Sequence, residues 1–205
     1  MKKIVIFGST GKTGLCATEA AVKKGLKVRA FLRDPNKLPT NLRDKVDIMK
    51  GDVLEPDSVQ RALEGMDGVV ICLGTGDSLA PTSDMSEGTK NIIDAMRQKN
   101  VNVVSACLSA FLIYEPSKVP ERFVPLNEDH KRMYNALKDS SLNYIVVFPP
   151  HIADEPSREV ITKMNPTEVS LRTISKYDLG KFLVDVLDDP QYYRQGVGIG
   201  NVPNA

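Results

Sequence analysis

Short segments rich in apolar, β-branched residues alternate with longer segments whose apolar residues follow helical spacing. The short segments predict six strands: Lys3–Phe7, Leu26–Leu32, Val46–Lys50, Gly68–Leu73, Val101–Leu108 and Asn143–Phe148. The longer segments predict helices near Thr13–Lys24, Asp57–Leu63, Ser83–Lys99 and Glu128–Lys138. Because nearly continuous apolar strands alternate with helices, we expect an α/β fold with a doubly wound parallel sheet and helices on both faces.

This alternation weakens in the last quarter of the chain. Three segments are predicted there: an irregular polar stretch Ala153–Pro166, a short strand Thr167–Leu171 and an amphipathic helix Ser175–Leu187. No linker rich in Gly, Ser or Pro divides the 205 residues. We therefore expect one domain over residues 1–205, in which residues 153–205 form an irregular C-terminal cap over the site.

Composition narrows the class of protein. Lys and Arg number 27 against 26 Asp and Glu, which leaves a net charge of +1 and no basic surface typical of nucleic-acid or membrane binding. The apolar runs are far shorter than the ~20 residues that span a bilayer, and the N-terminal run is too short for a signal peptide. The three cysteines, Cys16, Cys72 and Cys107, form no CxxC pair. These features predict a cytoplasmic protein with reduced thiols and no metal site.

A glycine-rich turn, GSTGKTG at residues 8–14, directly follows the first strand and opens the first helix. Glycines there let backbone N–H groups approach a pyrophosphate, and the helix N-terminus adds partial positive charge. The Gly-Lys-Thr sequence within the turn imitates a triphosphate-binding loop, but Ile6 stands where that motif requires its first glycine. The turn therefore predicts a Rossmann-like, dinucleotide-binding domain.

The end of the second strand bears on which dinucleotide binds. An acidic residue there favours NAD, whereas an arginine accepts the 2′-phosphate of NADP. Arg33 and Asp34 are adjacent, so position alone does not decide. Arg33 and Lys37 together favour NADP(H), with Asp34 starting the turn before Pro35. The alternative, a solvated basic surface without a ligand, remains open.

Later strand ends supply further candidates for the site. Ser109 ends the fifth strand, where it would face the nicotinamide and anchor its carboxamide or an acceptor carbonyl. Phe111 and Tyr114 are suited to stacking on a flat acceptor, and Arg122 and Arg172 to binding its anionic groups.

Two proton-transfer questions stay open in the sequence. His130 and His151 are the only histidines, and either of them or solvent could deliver a proton. Tyr114 and Lys118 also satisfy the YxxxK pattern of short-chain dehydrogenases, which requires both residues on one helix. Pro116 lies between them and disfavours a helix, so we do not expect that carbonyl-reductase mechanism.

Ten short segments, in order, resemble one known family. They are GSTGKTG, RDPNK, GDV, LGT, MSEG, SAF, EDH, PPH, ISK and DLG. Together they are similar to the NADPH-dependent flavin reductases, also called biliverdin-IXβ reductases, within the NmrA-like atypical short-chain dehydrogenase group. The resemblance extends to about residue 187. It implies a monomer of heme catabolism that transfers hydride from NADPH to FMN, FAD, riboflavin or biliverdin IXβ, with FMN as a substrate rather than a tightly bound group.

Matching motifs also imply site residues. The implied cofactor contacts are Gly8, Thr10, Gly11, Thr13, Arg33, Asn36, Lys37, Asp52, Val53, Leu73, Gly74, Thr75, Met85, Cys107, His130 and His151. Ser109 and His151 are the candidate catalytic residues, and the acceptor would contact Ser109, Phe111, Tyr114, Arg122 and Arg172. Two departures stand out: Gly76 replaces an arginine that covers the cofactor, and Tyr114 replaces a tryptophan. The competing hypothesis is an NmrA-like redox sensor that binds NADP(H) without turnover.

Overall fold

The computed structural model describes residues 1–168 and 171–203. Within these ranges the strands are β1 (Lys3–Phe7), β2 (Lys27–Leu32), β3 (Asp47–Lys50), β4 (Gly68–Ile71), β5 (Val103–Cys107), β6 (Asn143–Phe148), β7 (His151–Ala153), β8 (Val160–Met164), β9 (Thr173–Ser175) and β10 (Gln195–Asn201). The α-helices are α1 (Lys12–Lys23), α2 (Thr40–Arg43), α3 (Pro56–Ala62), α4 (Asp84–Gln98), α5 (Val124–Lys138) and α6 (Lys176–Asp185).

Eight of the described strands form one sheet in the order β3-β2-β1-β4-β5-β6-β10-β8. Neighbouring strands are parallel, except that β8 runs antiparallel to β10. β7 and β9 form a separate parallel pair. The strand order reverses between β1 and β4, and in this fold a dinucleotide binds in the crevice at the carboxyl ends of the strands there. The predicted Rossmann-like fold is confirmed.

The core lies on both faces of the sheet because β1 alternates its side chains between two apolar clusters. Val5 and Phe7 pack on the face covered by α3, α4 and α5, and Ile4 and Ile6 on the face covered by α1 and α6. All four side chains are completely buried. Fully burying such a side chain contributes about 1.5–3 kcal/mol, so the strand that positions the glycine turn is firmly anchored.

The structure confirms the six predicted strands, with small shifts at their ends. Helix α5 begins at Val124, four residues before the predicted start at Glu128. The reason is Pro125, which the first turn of a helix tolerates because its missing N–H would have no partner there. The predicted helix Ser175–Leu187 is α6 followed by a short 3₁₀ turn.

The prediction that Ala153–Pro166 is irregular is wrong, because this stretch contains β8. β10 was not predicted at all, so the region predicted as an irregular cap instead extends the main sheet. β8 escaped prediction because it lies at the edge of the sheet and has little buried apolar surface. β10 escaped because alternate residues are glycine, a pattern typical of turns. The predicted strand Thr167–Leu171 falls partly outside the described residues.

Candidate functional site

The turn between β1 and α1 requires glycine at two positions. Gly8 has a φ of +80°, and a Cβ there would lie 2.3 Å from the carbonyl oxygen of Cys72 at the end of β4. A Cβ on Gly14 would lie 2.1 Å from the Gly8 carbonyl oxygen. The turn is closed by the Gly11 N–H, which donates to that same oxygen at 3.0 Å. The backbone of the turn thus folds tightly against β4. Gly14 makes this possible; it belongs to the glycine motif but was not among the predicted cofactor contacts.

The turn also offers donors suited to an anion. Helix α1 starts without a side-chain cap, so its first N–H groups have no partner within the helix. Ser9 is buried and donates to the Phe31 carbonyl at 3.2 Å, which ties the turn to β2. Thr10 and Thr13 are half-buried, and neither hydroxyl bonds to another group in the described ranges. The cradle closed by Gly8 and these donors fits the pyrophosphate of a dinucleotide.

At the end of β2, the structure separates the roles of Arg33 and Asp34. The Asp34 carboxylate accepts the Asn36 N–H at 3.0 Å and caps the 3₁₀ turn that follows, as predicted for a residue that starts a turn. Arg33 and Lys37 are exposed, and neither forms an ion pair within residues 1–168 and 171–203. Two cations are therefore available near the edge of the crevice, while one oxygen of the adjacent carboxylate is engaged in the turn.

Arg43 in α2 holds the loop that carries these cations, a role the sequence did not suggest. Its Nε donates to the Leu38 carbonyl at 2.9 Å, and its Nη2 donates to the Asn36 carbonyl at 3.1 Å. Both acceptors are backbone atoms of the loop after β2. The sequence shows an arginine a few residues beyond the loop after β2, which hints at such a role. Its backbone partners, however, can be identified only in the folded structure.

The residues predicted at the adenine lie just after β3. The half-buried Asp52 accepts the Leu54 N–H at 3.0 Å, so one carboxylate oxygen shapes the turn. The Val53 carbonyl accepts from Asn91 Nδ2 at 2.9 Å, and the Val53 side chain packs against Gly88 of α4. Helix α4 thereby fixes Val53 beside the crevice.

The loop after β4 is open where backbone was predicted to approach the cofactor. Gly74 and Gly76 are exposed, and Leu73 and Thr75 are half-buried. The Thr75 hydroxyl donates to the Ser78 carbonyl at 2.6 Å. Because that proton is engaged, a cofactor contact at Thr75 would use its oxygen as an acceptor or its backbone.

A buried carboxylate joins α5 to the beginning of α4. Asp129 is completely buried and accepts the N–H groups of Met85 and Ser86 at 3.2 and 3.4 Å. Arg132 completes the network, with Nη2 3.0 Å from the same carboxylate and a further bond to the Thr82 carbonyl. Asp129 therefore caps the N-terminus of α4, which has no side-chain cap of its own. The negative charge of the buried Asp129 is balanced by Arg132.

Two predicted cofactor contacts are almost entirely covered by protein. Met85 is 3% exposed and belongs to the apolar core beneath α4. Cys107, at the end of β5, is 8% exposed, and burial raises the pKa of its thiol to about 12. Cys107 is therefore a protonated packing residue at neutral pH, and direct contact of either side chain with a cofactor stays a prediction.

His130 follows Asp129 on α5 and is half-buried. Burial lowers the pKa of its imidazole below the usual range, and the Asp129 charge and the Leu126 carbonyl oppose this effect only in part. His130 is therefore neutral at pH 7 and presents an uncharged imidazole.

The carboxyl ends of β5 and β6 bring Ser109, His151 and Arg172 into one region. The Ser109 hydroxyl accepts the Phe111 N–H at 3.2 Å, which leaves its own proton free to be donated. The N–H of the residue after Ser109 donates to the Pro149 carbonyl at 3.0 Å and ties this end of β5 to the end of β6. Just beyond, the His151 N–H donates to the Arg172 carbonyl at 3.2 Å, so these two exposed residues are neighbours.

Beside Ser109, three aromatic rings form a group that we call the aromatic cluster: Phe111, Tyr114 and Phe123. The Phe111 ring centroid lies 5.3 Å from that of Tyr114, nearly perpendicular to it, and 5.1 Å from that of Phe123. The guanidinium of Arg122 lies 4.9 Å from the Phe123 centroid. The cluster combines half-buried aromatic surface with an exposed cation. Phe123 was missed because no sequence motif marks it.

Tyr114 and Lys118, the two residues of the YxxxK pattern, lie on different local structures. Tyr114 has extended backbone, and a 3₁₀ turn spans Pro116–Lys118, so the two residues are not on one helix. Lys118 instead pairs with Glu115 at 3.1 Å. The prediction that Pro116 keeps Tyr114 and Lys118 from sharing a helix is confirmed.

A small pocket of about 30 Å³ lies at the end of β6. Ile113, which precedes Tyr114 in the chain, lines this pocket together with Phe148 and Pro150. Ile161 and Leu171 close its far side. The walls are mostly apolar.

Among the described residues, no helix is both long enough and apolar enough to cross a membrane.

Comparisons with known proteins agree with this geometry. An uncharacterised chloroplastic protein of Arabidopsis thaliana is 29% identical over 171 residues, which are 76% of this chain and 61% of that protein, so the chain spans less than two thirds of its length. A protein of Pestalotiopsis microspora named as an oxidoreductase is 24% identical over 98% of this chain and 86% of its own. ChuY, described as an anaerobillin reductase from Escherichia coli O157:H7, matches all of both chains with a TM-score of 0.83 at 15% identity, which shows the shared fold.

The sequence profile of one family matches residues 8–190, from the glycine turn to beyond the last helix. That span includes every candidate cofactor contact described above. The protein therefore belongs to the NAD(P)H-binding family.

Proposed function

We propose that this protein is an NADPH-dependent oxidoreductase that transfers hydride to flavins (FMN, FAD and riboflavin) and to biliverdin IXβ. The observation that carries the proposal is the aromatic cluster at the carboxyl end of β5, flanked by Arg122 and next to Ser109. Membership of the NAD(P)H-binding family supports the cofactor half of the proposal.

The cofactor would be held by the turn at residues 8–14, whose free helix N–H groups suit the pyrophosphate. Arg33 and Lys37 would bind the 2′-phosphate, since both are exposed and unpaired in the described part of the chain. One oxygen of the Asp34 carboxylate caps the following turn, which accounts for an acidic residue at this position without an NAD ribose. These three features favour NADPH over NADH. The bound nicotinamide supplies the hydride.

The acceptor would lie against the aromatic cluster. Flavins and bilins share an extended conjugated system, and all but riboflavin also carry anionic groups, namely phosphate in FMN and FAD and propionates in bilins. Aromatic faces stack on such systems, and Arg122 and Arg172 would pair with the anionic groups. The cluster lies near the surface rather than in a closed cavity, which suits a substrate that exchanges freely. The anaerobillin reductase shares this fold, which is compatible with a bilin substrate.

The polar residues at this end would orient the reactants and handle the proton. The Ser109 hydroxyl has a proton to donate to a carboxamide or an acceptor carbonyl. His151 is exposed to solvent and would be a candidate proton donor at this end of the sheet. His130 is neutral at pH 7 and would contribute a hydrogen bond rather than a charge.

The test follows NADPH absorbance after FMN is added, and separately after biliverdin IXβ is added. We expect acceptor-dependent oxidation in both cases, with NADH far less effective as the donor. A control with enzyme and NADPH but no acceptor measures any background oxidation. If NADPH binds by titration but neither acceptor accelerates its oxidation, the redox-sensor hypothesis replaces this one.

A further inference from the structure

The two edges of the main sheet differ in how they are protected. The edge strand β3 carries exposed charges at both ends, Asp47 and Lys50, and Asp47 pairs with Arg29 at 2.7 Å. Its apolar residues are half-buried. At the opposite edge, β8 has no strand on its outer side among the described residues. Natural sheets usually protect such an edge with charges, proline or a covering element, because exposed strand edges pair with other chains.

The ladder between β8 and β10 shows which backbone groups of β8 face outward. The Asn165 N–H donates to the Gly196 carbonyl, and the Val202 N–H donates to the Glu159 carbonyl. Hydrogen-bonded residues alternate in an antiparallel ladder, so odd-numbered positions of this segment bond to β10. The N–H and carbonyl groups of Val160, Thr162 and Met164 therefore point away from the sheet and can pair with another strand.

The side chains of β8 are apolar and exposed to an unusual degree for this protein. Val160, Ile161 and Met164 are 36%, 43% and 49% exposed. They are half of the large hydrophobic side chains that are exposed in the described ranges, and they occupy a single five-residue strand. A concentration of apolar surface on a strand edge marks a site of association.

We propose that β8 pairs antiparallel with β8 of a second copy of this chain and joins the two sheets across a twofold axis. Charge complementarity selects the register. With Ile161 opposite its own symmetry mate, Glu159 of each copy faces Lys163 of the other, giving two Glu–Lys pairs around an apolar centre. In this register the outward backbone groups of Val160 meet those of Thr162, so both can bond.

The other symmetric registers are less favourable. Centring the pair on Lys163 would place two lysines opposite each other, and centring it on Thr162 would place Ile161 opposite Lys163. In its own chain Lys163 lies 3.9 Å from Glu168, at the limit of an ion pair, so it is free to turn toward a partner. The proposed dimer differs from the monomer that the family resemblance implies, and the mass of the protein in solution decides between them.

The test measures the mass of the protein by sedimentation velocity over about a hundredfold range of concentration. We expect a reversible dimer. Lys163→Glu alone, or Glu159→Lys alone, places two pairs of like charges across the axis and should weaken dimerisation roughly tenfold. The double variant restores opposite charges and should recover the wild-type affinity. Lys50→Glu on the β3 edge is the matched control and should have no effect.

Three outcomes would overturn the proposal: a wild type that is monomeric throughout, single variants that dimerise like the wild type, or a double variant as weak as the singles. Circular dichroism and thermal unfolding of each variant show whether it is folded. All substituted side chains are exposed, so we expect unchanged unfolding curves at protein concentrations at which every variant is monomeric.

Discussion

Replacing Arg33 with alanine should raise the KM for NADPH about tenfold and leave the KM for NADH nearly unchanged. Arg33 is exposed and unpaired in the described residues, and one carboxylate oxygen of the adjacent Asp34 accepts the Asn36 N–H. A hydrogen bond to a charged group contributes about 1.5–3 kcal/mol. Exposure to solvent favours the lower end, about 1.5 kcal/mol, which corresponds to roughly a tenfold change in affinity.

The assay compares initial rates with NADPH and NADH as donors at saturating FMN, in the wild type and in Arg33→Ala. Lys45→Ala is the matched control, because Lys45 is an exposed cation near the same loop that has no proposed ligand. It should leave both KM values unchanged. An equal rise in KM for NADPH and NADH would show that Arg33 does not bind the 2′-phosphate and would refute the reasoning.

Three further predictions concern residues that support the site. Arg43→Met removes two hydrogen bonds to the loop after β2 and should raise the KM for NADPH severalfold with little change in kcat; a proportional fall in kcat would contradict a positioning role. Asp129→Asn replaces the charged acceptor of the Met85 and Ser86 N–H groups with a neutral amide, while Arg132, whose side chain is 43% exposed, can be solvated by water. It should lower the free energy of unfolding in urea by about 1–2 kcal/mol; a loss below about 0.5 kcal/mol would show that the network matters little. His130 has a pKa below its usual 6.5, so the unfolded state binds more protons and the free energy of unfolding should fall as the pH drops through that value. His130→Gln should remove this part of the pH dependence, and an unchanged profile would contradict the buried, neutral imidazole.

The parts of the fold that sequence predicts well are those in which local pattern and burial agree. β1 contains four consecutive buried apolar residues and is followed by a glycine turn. Both the position of the strand and the phosphate-binding chemistry of the turn can therefore be predicted from adjacent residues. β8 and β10 could not be read in the same way. β8 is an exposed edge strand. In β10 alternate residues are glycine, at positions where Phe148, Pro166 and Leu171 cover the sheet.

The site shows the same division. Gly8 and Arg33 belong to local motifs whose spacing carries their chemistry, so the sequence identifies them. Asp129 caps a helix that begins 44–45 residues earlier in the chain, and nothing in its own neighbourhood predicts that contact. Phe123 likewise joins Phe111 only because a chain of short turns brings the start of α5 back to the end of β5. Long-range contacts of this kind depend on the tertiary packing.

The most direct test of the proposed function is the effect of Phe111→Leu on the KM for FMN. Phe111 is the central ring of the aromatic cluster, and leucine keeps apolar volume while removing the ring that would stack on the acceptor. Aromatic pairing contributes about 0.5–1.5 kcal/mol, so the KM for FMN should rise about threefold to tenfold while the KM for NADPH stays the same. An unchanged KM for FMN in a folded, active variant would contradict an acceptor site at the aromatic cluster.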